Sequence, residues 1–287
     1  MKNAISLMLA LVLALSLAAC GGKNNEMVEA IPAQPVESTE TTPAETAAEP
    51  QEQGPVYRVE TRPVEEEYTA DDGTVVGHKR YTLAYLTTDG DDAARAAVCK
   101  TFNDAMDAFF AQDFAEDSDF ASVCRDAYAW QAEAGVEFEP CYDEFSVTDT
   151  AMSDTMLSIS GAGSNYTGGA HPNNYLASWN YDLQNGKFFT LNDLADDPAA
   201  LCAAVADEIL AQIEAQGLAE GYFENYEEVI RGAEDFNVFF GGNRTMTVWF
   251  SEYDIAPHAA GIPMFDISYD VLAPYLNDSG AALLQIA

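Results

Sequence analysis

The stretch that most constrains the fold of this chain runs from Asn165 to Leu194. It opens with Asn165-Tyr-Thr-Gly-Gly-Ala-His-Pro172, which reads as an irregular loop. Gly168 and Gly169 free the backbone there, and Pro172 pushes His171 out of the helical region. Leu176, Trp179 and Tyr181 then predict a strand from about Tyr175 to Leu183. Asn185-Gly186 suits a two-residue hairpin turn, with the chain returning through Phe188 and Phe189. Asn192 or Asp193 offers a side-chain oxygen to start a helix. Such a segment imposes local antiparallel pairing and leaves a Gly-rich loop at one end of it.

Elsewhere the apolar spacing alternates between two periods. Ala94, Val98, Phe102, Ala105, Met106 and Phe109 recur three or four apart, which predicts an amphipathic helix from Asp91 to Phe110. A second helix is expected from Asp119 to Ala134, stopped by Gly135. Asp197-Pro198 opens a third, running to Gln216 with Gly217 beyond its end; its Leu201, Val205, Ile209 and Ile213 form one core-facing stripe. A shorter helix fits Tyr222 to Arg231. Hairpins are expected around Asp72-Gly73 and around Gly241-Gly242-Asn243, with strands near Tyr81–Thr87, Phe138–Thr148, Met152–Gly161 and Met264–Ser268. The sequence has no internal repeat and no regular βαβ alternation. The expected class is therefore α+β, an antiparallel sheet built from hairpins with three main packed helices, in a single domain spanning 56–287.

The N-terminus reads differently. Lys2 precedes an apolar run from Ala4 to Leu17, too short to cross a bilayer and suited to a signal peptide over residues 1–19. Leu17-Ala18-Ala19-Cys20 resembles a bacterial lipobox, which implies a diacylglycerol on the Cys20 thiol. Two acyl chains anchor a protein stably where one does not. Residues 20–55 hold Pro32, Pro35, Pro43, Pro50 and Pro55 among Glu, Thr, Ala and Gln, a composition that cannot bury enough apolar surface to order itself. This segment reads as an acidic tether. The expected location is the extracytoplasmic face of a bacterial cell membrane, held by the lipid.

Charge narrows the partners. The chain carries 48 Asp and Glu against 12 Lys and Arg, a formal charge of −36. That field repels nucleic acid and anionic headgroups and attracts cationic partners.

Cys99, Cys124, Cys141 and Cys202 remain once Cys20 is lipidated. Outside the cytoplasm they permit two disulfides in any of three pairings. Their spacing matches no zinc pattern, and each has the apolar or small neighbours of a buried thiol. The sequence leaves pairing and redox state open.

Two motifs together resemble a known module. Tyr166-Thr-Gly-Gly-Ala-His-Pro172 followed by Trp179-Asn-Tyr-Asp-Leu-Gln-Asn-Gly-Lys187 is similar to the extracytoplasmic domain of RsiV-type anti-sigma factors, and to the accessory domain of PdaC-type peptidoglycan deacetylases. The second motif is Tyr253-Asp-Ile-Ala-Pro-His-Ala-Ala-Gly261, where the family carries an aromatic residue in place of His258. The resemblance spans about Tyr81 to Asn277. It implies an envelope-surface binding module, which in RsiV-type proteins takes lysozyme. The sigma-binding and deacetylase parts of those proteins have no counterpart in this sequence.

No catalytic signature stands out. His78, His171 and His258 make no HxH or HxxxH pair, so no metal or cofactor is expected. Ser160-Gly-Ala-Gly-Ser164 is neither a nucleophile elbow nor a phosphate loop. The expected function is non-catalytic binding of a cationic protein such as lysozyme, through Tyr166, Gly168, Gly169, His171, Asn173, Tyr253, Asp254 and His258. The alternative is a protein that binds or acts on cell-wall glycan, with His171 and Asp254 in its site.

Overall fold

Asp72 and Gly73 turn the chain as expected. The Thr74 amide donates to the Asp72 carboxylate at 2.9 Å, and Gly73 takes φ +85°, a region costly for other residues. The turn joins β1 (Tyr57–Thr69) to β2 (Val75–Thr88) in antiparallel register, with Tyr68 opposite Gly77. The structure, a computed structural model, describes residues 56–111 and 119–286. The expected signal peptide, Cys20 and the tether lie outside the described residues.

Helices α1 (Ala93–Ala111) and α2 (Asp119–Ala134) follow, and the chain then enters β3 (Cys141–Met152). The α+β class holds, but one pairing departs from the expected antiparallel sheet. β3 pairs with β2 in parallel, Gly77 opposite Cys141 through Thr82 opposite Ser146. Two helices provide the long connection that a parallel neighbour requires. The remaining partners are antiparallel: β4 (Met156–Tyr166), β5 (Asn173–Asp182) and the short β6 (Lys187–Phe188) complete a six-stranded sheet in the order β1 to β6.

Glycine lets the middle of this sheet accept large rings. Ring atoms of Phe145 and Tyr175 lie 2.2 Å from where a Cβ on Gly161 and Gly163, respectively, would stand. The Ser160–Ser164 segment thus reads as a bed for cross-strand aromatics. Against the same sheet α1 places Cys99, Phe102, Met106 and Phe110, packed with Tyr81, Leu83, Leu157, Ile159 and Tyr181.

The third helix, α3 (Pro198–Gln216), has the expected caps: the Asp197 carboxylate accepts from the Ala200 amide at 3.1 Å, and Gly217 takes φ +66°. After α4 (Tyr226–Arg231), a second sheet forms from β7 (Asn237–Phe240), β8 (Thr245–Trp249) and β9 (Met264–Ser268), antiparallel throughout. Short helices α5 (Tyr269–Leu272) and α6 (Asp278–Leu283) close the chain. Leu201, Val205, Ile209 and Ile213 are fully buried among Phe240, Met246, Val248 and Ile267 of this sheet. Each such side chain contributes about 2 kcal/mol relative to exposure.

The two sheets meet through buried and half-buried side chains. The Val238 carbonyl accepts from Ser178 Oγ at 2.7 Å and from Asn180 Nδ2 at 3.1 Å. The Phe240 amide donates to Ser158 Oγ at 2.9 Å, and that hydroxyl donates on to Asn180 Oδ1 at 2.6 Å. Backbone groups on the β7 edge are thereby satisfied without a shared strand.

Candidate functional site

The Gly-rich loop is the connection between β4 and β5. Strand pairing continues outward to Asn165 opposite Asn173, farther than the sequence suggested, so the loop is only Thr167 to Pro172. Gly168 and Gly169 take φ +91° and +131° at its tip, and the Tyr166 hydroxyl donates to the Gly169 carbonyl at 3.3 Å. Tyr166 also stacks on Tyr142 of β3, with ring centroids 5.9 Å apart.

The second loop approaches from the other sheet. Its first turn is braced by Asp254, whose carboxylate accepts from the Ser251 amide at 2.8 Å. Ile255 and Ala256 are buried and pin the loop to the core. Tyr253 adopts φ +70°, an uncommon choice for a bulky residue, and is 51% exposed. A 3-10 turn from His258 to Ala260 follows, ending at Gly261 with φ +71°.

The two loops meet in a stack of planar side chains. The His171 and His258 rings lie 3.9 Å apart and 14° from parallel, and Tyr253 lies 6.0 Å from His258 at 19°. His171 Nδ1 is 2.9 Å from the Pro172 carbonyl, which only accepts, so that nitrogen carries the proton. Its Nε2 lies 3.4 Å from the Tyr253 hydroxyl.

Glu252 anchors this stack. Its side chain is 5% exposed, and one carboxylate oxygen lies 3.0 Å from His258 Nδ1. Asn174 at the start of β5 donates to the same carboxylate twice, from its amide at 3.2 Å and from Nδ2 at 2.9 Å. Burial pushes the Glu252 carboxyl up, but the bonds from Asn174 and His258 together outweigh it, and the group ends below its usual range. An ionised carboxylate therefore ties the first loop to the second.

On its other side the Gly-rich loop borders a groove of about 410 Å³, walled by Thr167 and Gly168 and by Val123, Asp126, Ala127 and Trp130 of α2. Trp130 is 62% exposed. A separate cleft of about 380 Å³ separates the sheets, where Leu176, Phe239, Trp249 and Met264 face Asp149 and Asp266.

His171, Tyr253 and His258 are thus brought together, while Tyr166, Gly168, Gly169 and Asn173 form the adjoining loop and its base. Asp254 is not a partner of His171; its carboxylate is engaged in its own turn. Sequence reasoning missed Glu252, Asn174 and Trp130. Glu252 is one acid among 48, and nothing local marks it. Trp130 falls on a helix whose buried residues are Ala121, Cys124 and Gln131, and that face was not defined beforehand. Among the described residues no three His, Cys, Asp or Glu side chains converge as metal ligands, and no helix is long and apolar enough to cross a membrane.

An α+β domain with a six-stranded and a three-stranded sheet, and a cluster of two loops joined at a histidine stack, is what this geometry defines. A family model described as a protein of unknown function, DUF3298, matches residues 189–270. A crystal structure of a DUF3298 family member from Bacteroides fragilis is similar at 15% identity, with a TM-score of 0.60 over 80% of this chain and 97% of that one. A DUF3298 family protein from Pseudomonas aeruginosa is similar at 15% identity over 77% of this chain and 95% of that one, with a TM-score of 0.49. At such identity the Bacteroides likeness shows the fold. No curated protein matches the sequence.

Proposed function

We propose that this chain is a non-catalytic binding module of the bacterial cell envelope, anchored through lipid on Cys20, whose partner is a cationic protein of the lysozyme type. One observation carries the reading: the two loops singled out by their motifs meet at the His171–His258 stack, with His171, Tyr253 and the glycines at the loop tip exposed beside it. Trp130, Tyr166 and Tyr253 supply broad, stiff contact area, and Asp126, Glu139 and Asp254 are exposed around it. Aromatic centres with polar rims are how protein interfaces concentrate their energy. The net charge of −36 adds long-range attraction for a basic partner. The resemblance to RsiV-type extracytoplasmic domains supports the same partner class, and a tethered lipid anchor suits a sensor, decoy or inhibitor at the cell surface.

The test is a titration of residues 56–287 with lysozyme, and with cytochrome c as a basic control, at low salt and at about 0.15 M. The Debye length there is about 8 Å, so attraction by charge alone fades. Saturable lysozyme binding that survives salt while the control is lost supports a docked interface. Equal loss of both refutes it. For the anchor, lipid-precursor labelling of the wild type and not of Cys20→Ala is expected; a labelled variant overturns the site.

The inter-sheet cleft favours a second reading. Apolar walls facing Asp149 and Asp266 suit a sugar, which needs a flat apolar face and hydrogen-bond acceptors at its edges. Peptidoglycan fragments bound in place of lysozyme, and lost in Asp266→Asn, would shift the assignment to a glycan-binding envelope protein. Turnover of those fragments, lost in His171→Ala, would make it an enzyme.

A further inference from the structure

The four cysteines divide into two kinds. Cys99 and Cys202 each belong to a different buried cluster that holds no second cysteine. The Cys202 thiol is directed at Asn192 Oδ1, 3.4 Å away, and at the Glu234 carbonyl, 3.6 Å away. Cys124 and Cys141 share the third and smallest cluster, with Tyr68, Val76 and Ala121, and both are wholly buried.

Gly77 shows how closely they approach. In the parallel pairing it stands opposite Cys141, and a Cβ placed on it would lie 2.5 Å from Cys124 Sγ and 3.1 Å from the Cys141 carbonyl. Only glycine at this point lets α2 bring its cysteine down onto the first residue of β3. Donation to Cys141, together with burial, pushes the Cys124 thiol far above its ordinary range.

We propose that Cys124 and Cys141 are joined by a disulfide in the exported protein, while Cys99 and Cys202 stay thiols. The proposal rests on the extracytoplasmic location, because only an oxidising compartment maintains such a bond. The oxidant is a protein of the thiol–disulfide oxidoreductase class. One cysteine thiolate attacks the oxidant's disulfide, forming a mixed disulfide and releasing one of its sulfurs as a thiol. The other cysteine thiolate then displaces the second sulfur. Two electrons and two protons pass to the oxidant, and one S–S bond is exchanged for another. Because a thiolate must be exposed to react, the bond forms while the chain folds, before the cluster closes. It staples α2, which carries Trp130, to the head of β3, and closes the 16 residues between the two cysteines into a loop.

The wild-type protein, taken from the host envelope fraction, is acid-quenched, alkylated and peptide-mapped without reductant. In parallel, reduced and unfolded protein is refolded with oxidised glutathione. A Cys124–Cys141 linked peptide from both sources, with Cys99 and Cys202 alkylated, is the expected result. A different pair, or none, on refolding overturns the geometry. The expected pair on refolding but four alkylated cysteines in the envelope sample overturns the compartment, and the native bond with it. Reduction in denaturant, followed by refolding without oxidant, should lower Tm by roughly 5–10 °C. The Cys99→Ser/Cys202→Ser double variant should retain the linked peptide.

Discussion

His171 and His258, on loops from different sheets, stack at 3.9 Å, and the buried carboxylate of Glu252 holds the arrangement by bonding His258 and Asn174 together. The clasp has a pH signature. Its carboxyl is depressed below the ordinary 4.5, so the stability it adds is fully present above that value and lost as pH falls through the lower folded value. The Tm difference between wild type and Glu252→Ala should be constant from about pH 7 to 5.5 and shrink toward about pH 3. A difference that persists unchanged into acid would show that the carboxylate is not the clasp.

Ser158 and Asn180 should act as one unit. Ser158→Ala leaves the Phe240 amide and Asn180 Oδ1 without a bond each, inside a region where both residues are nearly fully buried. A loss of about 1–3 kcal/mol is expected for either Ser158→Ala or Asn180→Ala. The double variant should lose less than the sum of the two. Strict additivity in urea melts would mean that the joint is not coupled.

Asp143 accepts from the Tyr81 hydroxyl at 2.6 Å and the Tyr175 hydroxyl at 2.8 Å, and lies 3.7 Å from the Lys79 ammonium. The Lys79 and Asp143 side chains are only 5% and 14% exposed. Burial, and then the Asp143 bond, holds the Tyr81 hydroxyl well above the ordinary phenol range. Asp143→Ala removes an ion-pair partner of Lys79 and the acceptor of two tyrosine hydroxyls at once, so it should cost about 3 kcal/mol near neutral pH. A cost under about 1 kcal/mol would place this pair with surface ion pairs.

Two glycines should separate cleanly. Gly163→Ala drives a methyl group into the Tyr175 ring and should cost about 1–3 kcal/mol, whereas Gly242→Ala meets open space and should change stability by no more than about 0.5 kcal/mol. Equal denaturation midpoints for the two variants would contradict the ring-on-glycine packing.

Trp130→Ala tests the interaction surface without touching the core. If the groove beside Gly168 carries the interface, lysozyme affinity should fall at least about tenfold while Tm changes little. Unchanged affinity, with binding intact in the wild type, would move the interface elsewhere.

What the sequence determined by itself was local. The stripe from Leu201 to Ile213, the Asp197 and Gly217 caps, and the Asp72-Gly73 turn depend on residues a few positions apart, so the helices and that hairpin could be read directly; at Asn185-Gly186 the expected two-residue turn is instead a four-residue one, because Asp182 pairs with Lys187. The Gly-rich loop and the Tyr253–Gly261 loop were also visible as irregular backbone. That they touch was not, because nothing in either segment encodes the other's position. The parallel placement of β3 beside β2 depends on how the connecting helices α1 and α2 pack on the sheet, and a helical crossover leaves the returning strand's direction open. Glu252 became a clasp, and Cys124 found Cys141, only when distant segments were brought into register. The energy that selects such registers is a sum of many weak contacts across the core, which no single stretch of sequence carries.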